Sequence, residues 1–147
     1  MACEPVLHPT PSTVLRHPAM RPFELEWCRL RTDPAALRRA ATWRIVNAEL
    51  ESLDDILVAI GYLVPNTAET ERNLRRLVAW ARTDTLAAQV VMRRLLPGAV
   101  SIATRYRRRC DDALAEVASA LWIAVRTFNL GRTPACLAAA VLADAEY

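Results

Sequence analysis

The stretch from Asp111 to Phe128 constrains the chain most. Placed on a helical wheel, Leu114, Val117, Ala118, Leu121, Val125 and Phe128 gather on one side. A face that wide is the mark of a helix lying on a protein core. Asp111 and Asp112 fall in its first turn, where the free amides at a helix start favour carboxylates by roughly 0.3 to 1 kcal/mol each. The opposite side carries Asp112, Glu116, Ser119, Ile123 and Arg126 as one stripe, with an isoleucine among polar residues. A solvated face is the plain reading. Acidic residues around an apolar contact are also what a basic helical partner docks against.

The other periodic segments point the same way. Asp33 before Pro34 is a helix start, because the carboxylate caps free amides and proline is tolerated at the first helical position. Trp43, Val46, Leu50, Leu53, Leu57, Ile60 and Val64 repeat at spacings of three and four, the pattern of one apolar seam. One long helix or two short ones would carry it. Ser52 to Asp55 reads as a capping box with aspartate in its last place, favouring a break there, and Gly61 and Pro65 end the element. The seam would pack on the protein's own core or pair two copies as a homodimer.

Thr67 opens the next helix, with Glu69 and Glu71 at its positive end and Leu74, Leu77, Val78 and Ala81 as its buried stripe. Asp84 starts another, carrying Leu86, Val90 and Leu95 towards Pro97, where the missing amide is expected to kink or stop the helix. Glycine is scarce, at 3 residues in 147, and alanine and leucine are plentiful. The expected fold is all-α, a compact multi-helix bundle. Five of the nine prolines lie before residue 23, so residues 1–22 are expected to form a flexible arm and 23–147 a single helical domain.

Little supports catalysis. The two histidines, His8 and His17, stand in the proline-rich leader, so a serine or cysteine nucleophile would lack a base. No glycine-rich phosphate loop occurs, and no cysteine pair has zinc-site spacing. The chain is therefore read as a non-enzyme with no cofactor and no metal. Cys3, Cys28, Cys110 and Cys136 are read as thiols of a reducing cytosol. With no run of about eighteen apolar residues and no signal-peptide pattern, a cytoplasmic location away from the membrane is expected.

All 19 basic residues are arginine, against 16 acids and a net charge of +3. Such a bias fits a GC-rich bacterial coding sequence. Arg105, Arg107, Arg108 and Arg109 sit between two helices, where they oppose the negative end of the first. They are also candidates for phosphate contacts with DNA, which would be salt-dependent and blind to sequence.

From about Leu95 to Tyr147 the order "LLPGAVSIATRY", "DDALAEVASALWIAVRTF", "NLGRTPACLAAAVLADAEY" resembles region two of bacterial sigma factors. Asp111, Asp112 and Glu116 match that family's acidic motif, and Leu121, Trp122, Ala124, Phe128 and Asn129 match the helix that follows. Ala115 stands where the family has glutamine. The last helix lacks the aromatic and basic residues that open promoter DNA, and these 147 residues hold no second helix-turn-helix, so a degenerate relative or a piece of a longer chain is expected. The resemblance implies a transcription-related interaction module docking on RNA polymerase or a regulator through Asp111, Asp112, Glu116, Ile123 and Arg126. Two other functions fit the residues: a nucleic-acid-binding module built on the arginine block, and a structural or oligomeric helical protein.

Overall fold

The structure, a computed structural model, describes residues 21–106 and 112–146. Among these it forms seven α-helices and no strand: α1 Arg21–Leu30, α2 Pro34–Ala41, α3 Asp54–Ala59, α4 Ala68–Ala81, α5 Thr85–Tyr106, α6 Ala113–Thr127 and α7 Leu137–Glu146. The chain is all-α, as its periodicity requires. α5 is the central helix, packed against α4, α6 and α7. It is long and apolar enough by composition to cross a membrane, but 67% of its apolar window is buried by the other helices.

Local chemistry explains most helix starts. Asp33 accepts from the Ala36 amide at 3.0 Å with Pro34 in the first turn of α2. Thr67 and Thr70 form a reciprocal capping box, each hydroxyl accepting from the other's backbone amide at 3.1 and 2.8 Å. Asp84 accepts from the Leu86 and Ala87 amides at 3.0 and 3.3 Å. At α3, Asp55 accepts from the Ser52 amide at 3.3 Å while the Ser52 hydroxyl accepts from Asp54 at 3.1 Å. The chain does break there, by a variant of the expected box.

Gly61 closes α3 at φ +97°. Its amide donates to the Val58 carbonyl at 3.1 Å and Tyr62 donates to Leu57 at 2.9 Å, the paired bonds of a left-handed helix stop. The Gly61→Ala variant is therefore expected to lose about 1 to 2 kcal/mol, read as a lower urea midpoint.

Three expectations about the fold change. The seam from Trp43 to Val64 is not one helix or two. Only Asp54–Ala59 is helical, and Arg44 turns the chain at φ +54°. Trp43, Leu53, Leu57 and Ile60 are nevertheless buried, Val46 and Leu50 pack on the core, and Val64 is exposed. Burial, not helicity, selected the apolar spacing, and most of the seam faces this chain's own interior. Second, α5 runs through Pro97 without stopping. Leu95, Leu96, Pro97 and Ala99 are all buried, and packing on both sides outweighs one lost backbone bond of about 1 kcal/mol. Gly98 lies against Leu142 of α7, so a Cβ there would collide with that side chain. Third, the structure is already helical at Arg21 and Pro22, inside the stretch assigned to an arm. Proline is tolerated in a first turn. The rest of that stretch, residues 1–20, lies outside the described residues.

The core is continuous through the molecule. Every apolar position read on the strongest helix, Leu114, Val117, Ala118, Leu121, Val125 and Phe128, is buried. Burial of a residue of Leu or Val size is worth about 1.5 to 3 kcal/mol, as an upper estimate. Glu71 of α4 accepts from the Leu137 amide that opens α7, and Arg75 donates to the Leu130 and Arg132 carbonyls. These contacts fix the α6–α7 connection, and with it the outward face of α6.

Candidate interaction surface

Because the wide apolar side of α6 is consumed by the core, its other side faces outward. Asp112, Glu116, Ser119 and Ile123 are all exposed, Ile123 to 63%. Asp112 is the N-cap residue by position, yet its side chain makes no capping bond. Capping therefore does not account for it. Among the described residues neither Asp112 nor Glu116 has a side-chain hydrogen bond or ion pair.

Most other described carboxylates are engaged. Glu24 pairs with Arg93, and Glu26 with Arg29 at 2.7 Å. Asp54 takes Trp27 Nε1 at 3.1 Å and Arg31 at 3.4 Å. Asp144 pairs with Arg132 at 2.8 Å and Glu146 with Arg105 at 3.3 Å. Glu49, Glu51 and Glu69 are likewise exposed without a side-chain partner among the described residues; what distinguishes Asp112 and Glu116 is the exposed isoleucine in line with them on α6.

Arg126 does not belong to that free stripe. It is half-buried, lies over the Trp122 ring at 5.6 Å and donates to Thr85 Oγ1 at 3.2 Å. Its planar guanidinium prefers an aromatic face one turn away to full exposure. Asp111 lies outside the described residues.

At the other end of α5, Arg105 is largely exposed but paired with Glu146, whose same oxygen accepts from Tyr106 Oη at 3.1 Å. A carboxylate from α7 thus sits where a phosphate would be expected. Arg107, Arg108 and Arg109 lie outside the described residues. Arg38, Arg72 and Arg76 are exposed on other helices, and Arg82 is exposed at the C-cap of α4.

α1 lies outside the periodic segments that mark the other helices in the sequence. Its signal is Phe23, Trp27 and Leu30, spaced four and three. These residues line an open groove of about 130 Å³ against Met92 and Leu96 of α5 and Trp122 of α6, with Glu26, Gln89 and Arg93 as its polar members. Arg93 lies beside the rings of Trp27 and Tyr62 at 5.6 and 6.0 Å. Its Nε is buried without an acceptor. Tyr62 titrates above its ordinary value, because burial disfavours the phenolate more than Arg93 favours it.

No group of three or more His, Cys, Asp or Glu side chains able to hold a metal occurs among the described residues. His8 and His17 lie outside them. Cys28 is a free, exposed thiol, but Cys136 is disulfide-bonded, which corrects the reading of all four cysteines as free thiols. Separation along the chain does not report proximity in the fold. The thiol argument for a reducing compartment therefore fails at Cys136. No protein-family model matches this chain, and neither a curated protein nor a solved structure is similar to it.

Proposed function

We propose that the protein is a helical interaction module that docks a basic partner on the outward face of α6, with RNA polymerase or one of its regulators as that partner. The observation that carries this reading is the exposure of Ile123 in line with Asp112 and Glu116, two carboxylates with no described partner. Free charges around an apolar contact steer encounter and orient a partner, while the apolar residue supplies desolvation. The resemblance of the acidic motif to sigma region two supports the choice of partner. Arg105, the one member of the arginine block among the described residues, is paired with Glu146.

Retention of core RNA polymerase on immobilised full chain tests the reading. Glu116→Arg is expected to weaken retention by about tenfold or more through like-charge contact. Glu69→Arg, at an exposed acid on α4, is expected to leave it unchanged. Raising the salt concentration should weaken the wild type more than Glu116→Arg, because the screened attraction has gone from the variant. Equal retention of both variants, or no retention of the wild type, removes the proposal.

A further inference from the structure

We infer that the groove between α1, α5 and α6 receives one bulky, uncharged apolar side chain from a basic amphipathic helix lying along α6. The inference rests on the docking face proposed above and deepens it by assigning the partner an anchor.

Three observations carry it. The groove and the acidic face are neighbours on α6: Trp122 forms a groove wall, and the next residue, Ile123, about 100° further round the helix, is 63% exposed. Phe23, at 42% exposure, extends apolar surface on the opposite wall. The size is that of one side chain, since about 130 Å³ is close to the roughly 150 Å³ of an engineered apolar cavity that binds benzene. Met92 among the walls lets the lining adjust to the shape of an incoming group.

Charge selects the occupant. Arg93 inside the groove is paired with Glu24 and Glu26 at its edge with Arg29, so both charged members of the lining already have partners and a charged anchor would lose hydration with little return. Outside the groove, Glu116 and Asp112 precede Trp122 by six and ten residues, about 9 and 15 Å along the helix axis. A partner helix with its anchor in the groove would meet them with basic residues about two and three turns away. Anchor residues on one face of a helix, laid in an apolar groove, form a recurrent recognition mode.

The test uses the full chain and an alanine-based helical peptide carrying one phenylalanine, with lysines seven and eleven residues from it, the positions on the same helix face that come within about 1.5 Å of those rises. Fluorescence anisotropy of the labelled peptide reads binding. Replacing its phenylalanine by alanine is expected to weaken binding about tenfold or more. Replacing its lysines by glutamate is expected to do the same. In the protein, Gln89→Trp, which overlays the groove rim, should abolish the preference for phenylalanine, while Glu116→Arg should abolish the preference for lysine.

Binding that needs the lysines and Glu116 but not the phenylalanine overturns the anchor and leaves the acidic face standing. Binding that needs the phenylalanine but ignores Glu116→Arg overturns the acidic face, and with it the orientation inferred here. No binding of the parent peptide overturns the inference, while polymerase retention separately decides the docking face.

Discussion

The Asp84→Ala variant is expected to unfold with about 2 to 4 kcal/mol less free energy than the wild type. One carboxylate performs three tasks. Its Oδ1 caps α5 through the Leu86 and Ala87 amides, a role worth about 0.5 to 2 kcal/mol. Its Oδ2 accepts from the buried Trp43 indole at 2.8 Å, and a stranded buried donor costs about 1 to 3 kcal/mol. Both its oxygens meet Arg39 Nε at 3.1 Å. Arg39 is 61% exposed and rehydrates easily, so its share is small.

A urea midpoint shift at unchanged slope measures the loss. A loss under about 1 kcal/mol would show that the cap and the indole bond contribute little. Asp84→Asn keeps one acceptor for the cap and should lose less.

The same residue sets part of the acid response. Burial alone raises the pKa of Asp84, but the Trp43 indole, the Ala87 amide and Arg39 together outweigh it and bring the carboxyl below its ordinary value. The unfolded chain thus takes up the proton first, at about pH 3.9. The stabilisation is complete above that pH and is lost as the pH falls through the lower, folded value. The stability gap between wild type and Asp84→Ala should therefore narrow on acidification below about pH 4.

Arg93→Met carries the second large effect, and it should appear first as opening of α1. Glu24 is buried, and its partner Arg93 has a side chain only 14% exposed. Removing the guanidinium strands a buried carboxylate, at about 3 to 5 kcal/mol. α1 lies at the periphery, held also by Trp27 to Asp54 at 3.1 Å and by the Leu53 amide on the Arg31 carbonyl at 2.8 Å. Detaching that helix hydrates Glu24 at less cost than unfolding the core, so local opening limits the penalty.

Hydrogen exchange should accordingly accelerate across Arg21–Leu30 while α5 and α6 keep their protection. The double variant Glu24→Leu with Arg93→Met replaces the pair by apolar groups and should restore most of the protection, as replaced buried ion pairs often do. Unchanged exchange in the single variant would mean that the pair does not hold α1. Because α1 supplies Phe23, Trp27 and Leu30 to the groove, the single variant should also lose the phenylalanine preference of peptide binding, and the double should regain it.

Several elements were legible along the chain because their causes are local. Thr67 and Thr70, Asp33 with Pro34, Asp84 and Gly61 each satisfy or stop backbone groups within a few residues of themselves. The buried side of α6 was legible for a related reason: a 3.6-residue period over 15 residues leaves one side for the core. The outward stripe followed as its complement, except at Arg126, whose partners Trp122 and Thr85 include one from another helix.

Where reading from the sequence departed from the structure, the cause lay elsewhere in the chain. Pro97 obeys the local rule by lacking an amide, but α4, α6 and α7 surround the helix and hold it continuous. The apolar spacing from Trp43 to Val64 reports burial, and an irregular chain buries alternate residues as well as a helix does. Glu24 and Arg93, 69 positions apart, carry no sign in the sequence that they meet.

The sequence by itself determined the all-helical class, the punctuation of most helices and the two-sidedness of α6, because capping, glycine geometry and amphipathic period act over a turn or two. Only the tertiary structure decided that Asp112 and Glu116 have no side-chain partner among the described residues, that Arg105 pairs with Glu146 and that α1 closes a groove against Trp122. Each of these depends on which helices become neighbours, and that is settled by packing the whole core at once.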